Sequence, residues 1–336
     1  MKMIELKNKI ISWLIAKINI GKFDKAVSRI PLIDIVYKFF VQKTINYDFP
    51  AHLFIESTNA CNFRCKMCVR TNGNNPIGNM DFILFKKIVD EAKQYGPRSF
   101  SLHLFGEPLV APKIIEMIRY IKESGPNNTI LLTTNGVLLT AEKSEALVKH
   151  QLDKIFISFT SPDKKTYFEK TGADKLKEAE ENVEQLIMIK KNNKSKKPLI
   201  FVRMIVEKET EDQVKEFLKR WKGKDVIIET RDMHNYGGNI EKSHVKKTKK
   251  RYSCYHLWFS PSIHWNGDVS ACCNDYGREL LLGNVKKQTL NEIWNGAQIR
   301  RYRNLHLTGK YNLMPLCQDC DVWNIYSDPF FWWQKK

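Results

Sequence analysis

From residue 50 onward, short apolar runs rich in β-branched residues alternate with longer stretches whose apolar positions recur every three or four residues. The runs at 52–57, 99–105, 129–134, 153–159, 199–206 and 225–230 predict strands. The stretches at 81–94, 112–123, 141–150, 175–191 and 210–221 predict helices. Alternation at this spacing implies parallel pairing through right-handed crossovers, and therefore an α/β fold. Six strands are too few for an eight-unit barrel. Polar motifs gather where the runs end: Phe105-Gly106-Glu107-Pro108, Thr133-Thr134-Asn135-Gly136, Ser158-Phe159-Thr160 and Glu229-Thr230-Arg231-Asp232. Parallel barrels carry their chemistry at the C-terminal strand ends, so these motifs mark one functional rim.

Residues 1–50 read as a separate helical, amphipathic leader. Ile10 to Ile18 is apolar around Trp13 and is flanked by lysines, and Ile30 to Val41 carries Tyr37, Phe39 and Phe40. Two readings stay open: a helix lying on a membrane surface through residues 1–45, or an arm packing on the domain that follows. No run of 18 apolar residues predicts a membrane span. The net charge is +18, from 55 Lys plus Arg against 37 Asp plus Glu. Much of the excess lies in Lys190–Lys197 and Lys246–Arg251, which read as solvated loops. Lys190–Lys197 and Lys246–Lys250 contain no aromatics for base stacking, so nucleic acid is disfavoured as a partner. Eight cysteines without a secretory signal point to the reducing cytosol, with the leader's membrane reading placing the chain peripherally on the inner membrane face.

The cysteines change the picture most. Cys61-Asn62-Phe63-Arg64-Cys65-Lys66-Met67-Cys68 has three and then two residues between its thiols. Three thiolates on one loop can hold three irons of a four-iron cluster and leave the fourth open to a ligand. Zinc knuckles and bacterial ferredoxin runs use other spacings. Together with Glu56-Ser57-Thr58-Asn59-Ala60, this run resembles the signature of the radical S-adenosylmethionine (SAM) superfamily. The resemblance covers roughly 52–325 and implies a partial (β/α)6 barrel. It also implies SAM bound to the open iron, cleavage to a 5′-deoxyadenosyl radical, and a flavodoxin- or ferredoxin-type electron donor. Met67 stands where the family usually has an aromatic residue and could pack on adenine. Gly106-Glu107 resembles the Gly-Gly-Glu motif, whose glutamate receives the SAM amino group. Ser158 and Thr160 fall where the family places polar contacts to SAM or substrate, although many members have Asp at the position of Thr160; Asn135, in an Asn-Gly pair that reads as a turn, is a weaker cofactor-binding candidate.

A second set follows: Cys254, Cys272 five residues after Gly267, and Cys317-x2-Cys320. It resembles the auxiliary-cluster module called SPASM or, in shorter form, twitch. The hairpin expected around Asn266-Gly267 would bring Cys254 and Cys272 together. Five cysteines beyond residue 250 suffice for one auxiliary [4Fe-4S] cluster, and the gaps of 17, 44 and 2 residues resemble those of a single-cluster aminocyclitol dehydrogenase. Cys272 keeps the Gly-x4-Cys spacing, with adjacent Cys273 as the alternative; a structural zinc held by the four thiols also stays open. The expected organisation is leader 1–50, barrel 51–235, SPASM/twitch module 236–325 and aromatic tail 326–336, which includes Phe330-Phe331-Trp332-Trp333.

The expected reaction is hydrogen abstraction from a small hydroxylated substrate, sugar- or aminocyclitol-like and lipid-linked if the leader binds membrane. The auxiliary cluster would accept the electron left behind. Arg231 is the candidate for holding the substrate or the SAM carboxylate, with Asp232 and His234 as weaker candidates. A leader of about 50 residues is too short for the winged-helix domain frequent in peptide-modifying relatives. Peptide maturation, RNA modification and a non-catalytic metal protein are the competing classes.

Overall fold

The computed structural model describes residues 48–71, 73–240, 243, 245, 251 and 253–325. The expectations for most of the leader, for residues 246–250 and for the aromatic tail fall outside them. The chain divides into two compact units, 1–46 and 47–336. Among the described residues no helix is long and apolar enough to cross a membrane.

Six parallel strands follow the chain in order: β1 (His52–Ile55), β2 (Ser99–Ser101), β3 (Thr129–Thr134), β4 (Lys154–Phe159), β5 (Leu199–Val206) and β6 (Ile227–Asp232). Each crossover carries helix: α1 (Phe82–Lys93), α2 (Ile114–Ser124), α3 (Ala141–Lys149), α4 (Lys164–Thr171) with α5 (Leu176–Asn192), and α6 (Val214–Trp221). This is the connectivity of a barrel in which β1 never meets β6. Instead β1 pairs on its other edge with β7 (Ser262–Ile263), which turns back into β8 (Asp268–Ser270) and β9 (Leu281–Asn284). The expected hairpin is present, with Gly267 at φ 91° in its turn.

Alternation decides which residues meet the helices. Ile130, Leu132, Ile155, Ile157 and Phe159 are buried in the main core, whereas Leu131, Thr133, Phe156 and Ser158 are half-buried on the other face, toward the barrel interior. Helix α1 starts where the Asp81 carboxylate accepts the Ile83 and Leu84 amides and buries Leu84, Phe85, Ile88, Val89 and Ala92. Cutting Ile88 to Ala would cost about 2–5 kcal/mol.

The departures from expectation have local causes. β2 ends at Ser101, because the chain then turns to seat His103 and Gly106. β6 starts two residues late, since a turn through Lys224 and Val226 delays it. Residues 208–213 form a 3₁₀ turn before α6. In the Lys190–Lys197 run, Lys190 is buried against Asp225 at 2.9 Å and Lys197 pairs with Asp153 at 2.5 Å, so part of the run is structural.

Candidate active site and cysteine loops

The loop after β1 is tied down residue by residue. The Thr58 hydroxyl donates to Gly78 O (2.9 Å), and Asn59 exchanges two 2.8 Å bonds with Pro76 O and Gly78 N. Phe63 is buried, edge-on to Tyr167 at 6.2 Å. Cys65 O accepts the Cys68 amide (3.0 Å) and the Thr71 hydroxyl (2.8 Å), while Arg70 donates to Phe63 O. The Cys61 sulfur receives the Phe63 amide at 3.4 Å. Burial pushes the Cys65 thiol up to about 12, helped by Cys68 and Cys61. Burial also raises Cys61, with Glu107 and Cys68 adding to it. Cys61 and Cys65, raised in this way with Cys68 beside them, fit a cationic iron site, because metal binding supplies the charge that thiolates need. Met67 is half-buried on the same loop.

The Gly106-Glu107 turn presses on the start of that loop. A Cβ on Gly106 would lie 2.2 Å from Thr58 O and 2.7 Å from Ala60 O, and the Glu107 amide donates to Ala60 O at 2.8 Å. The Glu107 side chain is buried. Its carboxylate accepts the Leu109 amide (3.0 Å), the Thr134 hydroxyl (2.7 Å) and the Asn135 amide (2.8 Å). Burial pushes this carboxyl up, and the three donors pull against it. Asn135 in turn donates to Asn62 Oδ1 (2.7 Å), so the β3 tip, the Glu107 turn and the cysteine loop form one hydrogen-bonded unit. Ser158 is half-buried in register with Arg203. Thr160 is buried, and its hydroxyl has no hydrogen-bond partner among the described residues. An orphaned donor at this strand end suits a polar ligand.

The interior holds groups the sequence reading missed. Arg203, 11% exposed, donates from Nε (3.1 Å) and Nη2 (2.9 Å) to Glu229 and lies 4.4 Å above the Phe156 ring. Arg231 sits 3.7 Å from the same carboxylate and is one-third exposed. Asp232 is exposed, as strand alternation requires of Arg231's neighbour. His103 accepts the Thr133 amide at 3.1 Å, and its ring is edge-on to Phe54. Burial and then the Arg203 charge lower His103 to about 3, so it is neutral. Burial likewise holds His234 at about 4. A charged residue inside the apolar run Leu199–Val206 was the available signal for Arg203.

The second cysteine set forms around helix α7 (His256–Phe259), helix α8 (Leu290–Trp294), helix α9 (Ala297–Leu307) and helix α10 (Pro315–Gln318). Burial, then Cys272 and Cys320, push the Cys254 thiol well up. Burial and then Cys272 push Cys320 to about 11. Burial raises Cys317, with Cys272 and Cys320 adding to it. Cys272 therefore bears on each of the other three thiols. A hydrogen bond with Cys273, then burial, push Cys272 well up, and Cys273 also contacts His256 Nε2 at 3.8 Å. Burial raises Tyr236, with Cys68, Cys65 and Cys273 adding to it. Among the described residues no three His, Cys, Asp or Glu side chains meet at a point that a single metal ion would occupy.

Residues 55–220 match the Radical SAM superfamily, and residues 254–321 match SPASM, an iron-sulfur cluster-binding domain. The chain is 25% identical over 316 residues to the tungsten-containing aldehyde ferredoxin oxidoreductase cofactor-modifying protein of Pyrococcus furiosus, covering 81% of this chain and 87% of that one. It is 19% identical over 280 residues to the S-adenosyl-L-methionine-dependent 2-deoxy-scyllo-inosamine dehydrogenase of Niallia circulans, covering 82% and 94%. The structure of native anSMEcpe with bound AdoMet and Cp18Cys peptide superposes with a TM-score of 0.60 at 17% identity, covering 81% and 89%. The chain belongs to the radical SAM superfamily, as an enzyme that uses SAM and [4Fe-4S] clusters and carries a C-terminal SPASM module.

Proposed function

We propose that this enzyme oxidises a small hydroxylated molecule, sugar- or aminocyclitol-like, by two electrons. The observation that carries the reading is the gathering of Cys254, Cys317 and Cys320 close enough to Cys272 to feel its charge, with Cys317 buried and the other three half-buried. Four thiolates saturate a four-iron cluster, which then passes electrons without binding substrate. When bound, SAM and the clusters supply a carbon-centred radical that removes a substrate hydrogen and an acceptor for the electron left behind.

In this reading Cys61, Cys65 and Cys68 hold the SAM-binding cluster. Gly106, Glu107, Asn135, Ser158, Thr160 and Met67 frame SAM, with Glu107 acting through the backbone it organises. Arg231, with Arg203 and Glu229 behind it, holds substrate hydroxyls in the interior. The name of the Niallia circulans relative supports an alcohol of this class. Exposed Arg64 and Lys66 on the cysteine loop suit an acidic flavodoxin- or ferredoxin-type donor.

The test is anaerobic reconstitution with iron and sulfide, iron counting, and a 5′-deoxyadenosine assay with SAM and dithionite. About eight irons are expected for two clusters, about four after Cys61, Cys65 and Cys68 are all changed to Ala, and an unchanged count in Cys273→Ala. Incubation with deuterated cyclitols should then place deuterium in 5′-deoxyadenosine. Transfer from a peptide and from no polyol would replace the substrate class, and four irons in the wild type would remove the auxiliary acceptor.

A further inference from the structure

We propose that His306 tunes the reduction potential of the auxiliary cluster by donating a hydrogen bond from Nε2 to the Cys317 sulfur. The inference rests on the reading that Cys254, Cys272, Cys317 and Cys320 ligate that cluster.

His306 lies near the end of α9 and is 1% exposed. The backbone amide of Cys254 approaches its Nδ1 at 3.1 Å. A backbone N–H can only donate, so Nδ1 must present its lone pair. The ring is then neutral with its proton on Nε2. Nε2 lies 3.5 Å from the Cys317 sulfur, so the sulfur is the acceptor of that proton. One imidazole therefore spans two of the four cysteines, taking a hydrogen bond from the backbone of one and giving one to the thiol of the other. Its surroundings fix this orientation. Ser253 donates to the His306 carbonyl at 3.0 Å, and Tyr311 meets the imidazole edge-on at 5.0 Å. The guanidinium of Arg251 covers the Tyr311 ring at 4.3 Å.

Hydrogen bonds to ligating sulfurs are one of the levers that set cluster potentials. Reduction adds negative charge to the cluster and its thiolates. A donor at a sulfur stabilises that added charge and so raises the potential. His306 thus makes the cluster a more willing electron acceptor, the property that an oxidative reaction in the barrel requires. It touches neither substrate nor SAM in this reading and is a positioning residue.

The experiment uses the full chain with Cys61, Cys65 and Cys68 changed to Ala, reconstituted with iron and sulfide, so that one cluster titrates. Potentiometric titrations read by EPR compare His306, His306→Leu and His306→Gln. Leucine removes the donor, and glutamine keeps an N–H and an acceptor. The Leu variant should move the midpoint to more negative potential by about 59 mV, a tenfold change in a one-electron equilibrium. The Gln variant should recover most of the shift. A Leu variant with about four irons and an unmoved or more positive midpoint overturns the proposal. If Leu loses its iron, pulsed EPR of the unsubstituted His306 cluster decides. With ¹⁵N-histidine it should show one coupled imidazole nitrogen and an exchangeable proton, and their absence overturns the proposal. No iron in the Cys61, Cys65 and Cys68 variant sinks the ligand assignment itself.

Discussion

Removing the Glu107 carboxylate should unfold the protein at lower temperature even when SAM and iron are absent. In Glu107→Ala the Leu109 amide, the Asn135 amide and the Thr134 hydroxyl lose their acceptor. Each orphaned buried donor costs about 1–3 kcal/mol. The Thr134 hydroxyl can turn elsewhere, and water entering the vacated space can serve one amide. A net loss of about 3 kcal/mol is left, a drop in Tm of about 4 °C for a chain of 336 residues. Glu107→Gln keeps one oxygen but sets an NH₂ against an N–H, for a loss of about 1–2 kcal/mol. The assay is thermal unfolding of cluster-free protein followed by circular dichroism. A side chain whose only duty was to receive the SAM amino group would leave that melt unchanged and reduce SAM binding alone. An apo Tm for Glu107→Ala within about 1 °C of wild type, less than 1 kcal/mol at this size, refutes the scaffold argument.

Two further outcomes follow from single contacts. Gly106→Ala should destabilise the apo protein by about 1–3 kcal/mol, because the new Cβ meets backbone at 2.2 and 2.7 Å and neither partner can rotate away; an unchanged melting temperature contradicts the close approach. His103, held neutral by burial with its pKa at about 3, binds no proton in the folded chain while the unfolded chain takes one up below about 6.5. Stability should therefore be fully present above pH ~6.5 and fall as pH drops toward ~3, with a slope approaching 1.4 kcal/mol per unit from this residue. Urea titrations of His103→Asn between about pH 6 and pH 4 should show a flatter slope, and an equal slope would reject the buried neutral assignment.

The strands with dense β-branched or apolar runs were legible in the sequence: β3 and β5 match end to end, and β4 within a residue. Helix α4 was not, because Lys164–Thr171 buries only Tyr167 and Thr171 and so carries no apolar stripe. β7 is two residues long and exists because β1 offers an edge, which no local pattern announces. The two cysteine loops stood out in the sequence because several cysteines at fixed spacing form a pattern. His103 and His306 were not, since each is a single residue whose meaning comes from distant partners. His306 meets Cys254 across 52 positions and lies on a helix with little apolar character. The Gly106-Glu107 motif was found in the sequence, but its part in the scaffold was not: its carboxylate also accepts the Leu109 and Asn135 amides.

The barrel's last strand and the second cysteine loop are also one mechanical piece. The Asn235 amide donates to both oxygens of Asp321 at 3.0 and 3.1 Å, its side chain donates to Asp319 O at 2.6 Å, and Asn235 Oδ1 accepts the Asp321 amide at 3.2 Å. A Cβ on Gly237 would lie 2.6 Å from Leu316, so only glycine lets the chain pass. Between them Tyr236 adopts φ 48°, a left-handed conformation that costs a non-glycine residue of order 1 kcal/mol or more. Such strain persists only where the surroundings over-determine the backbone, and here Asn235 on one side and Gly237 on the other do so. Cys317 and Cys320 lie among the residues that grip Asn235 and Gly237, namely Leu316, Asp319 and Asp321, so the backbone that carries them is tied to the end of β6 before any iron binds. Electron transfer depends steeply on separation. If the second set takes the electron as proposed, this backbone clamp keeps its distance from the interior constant.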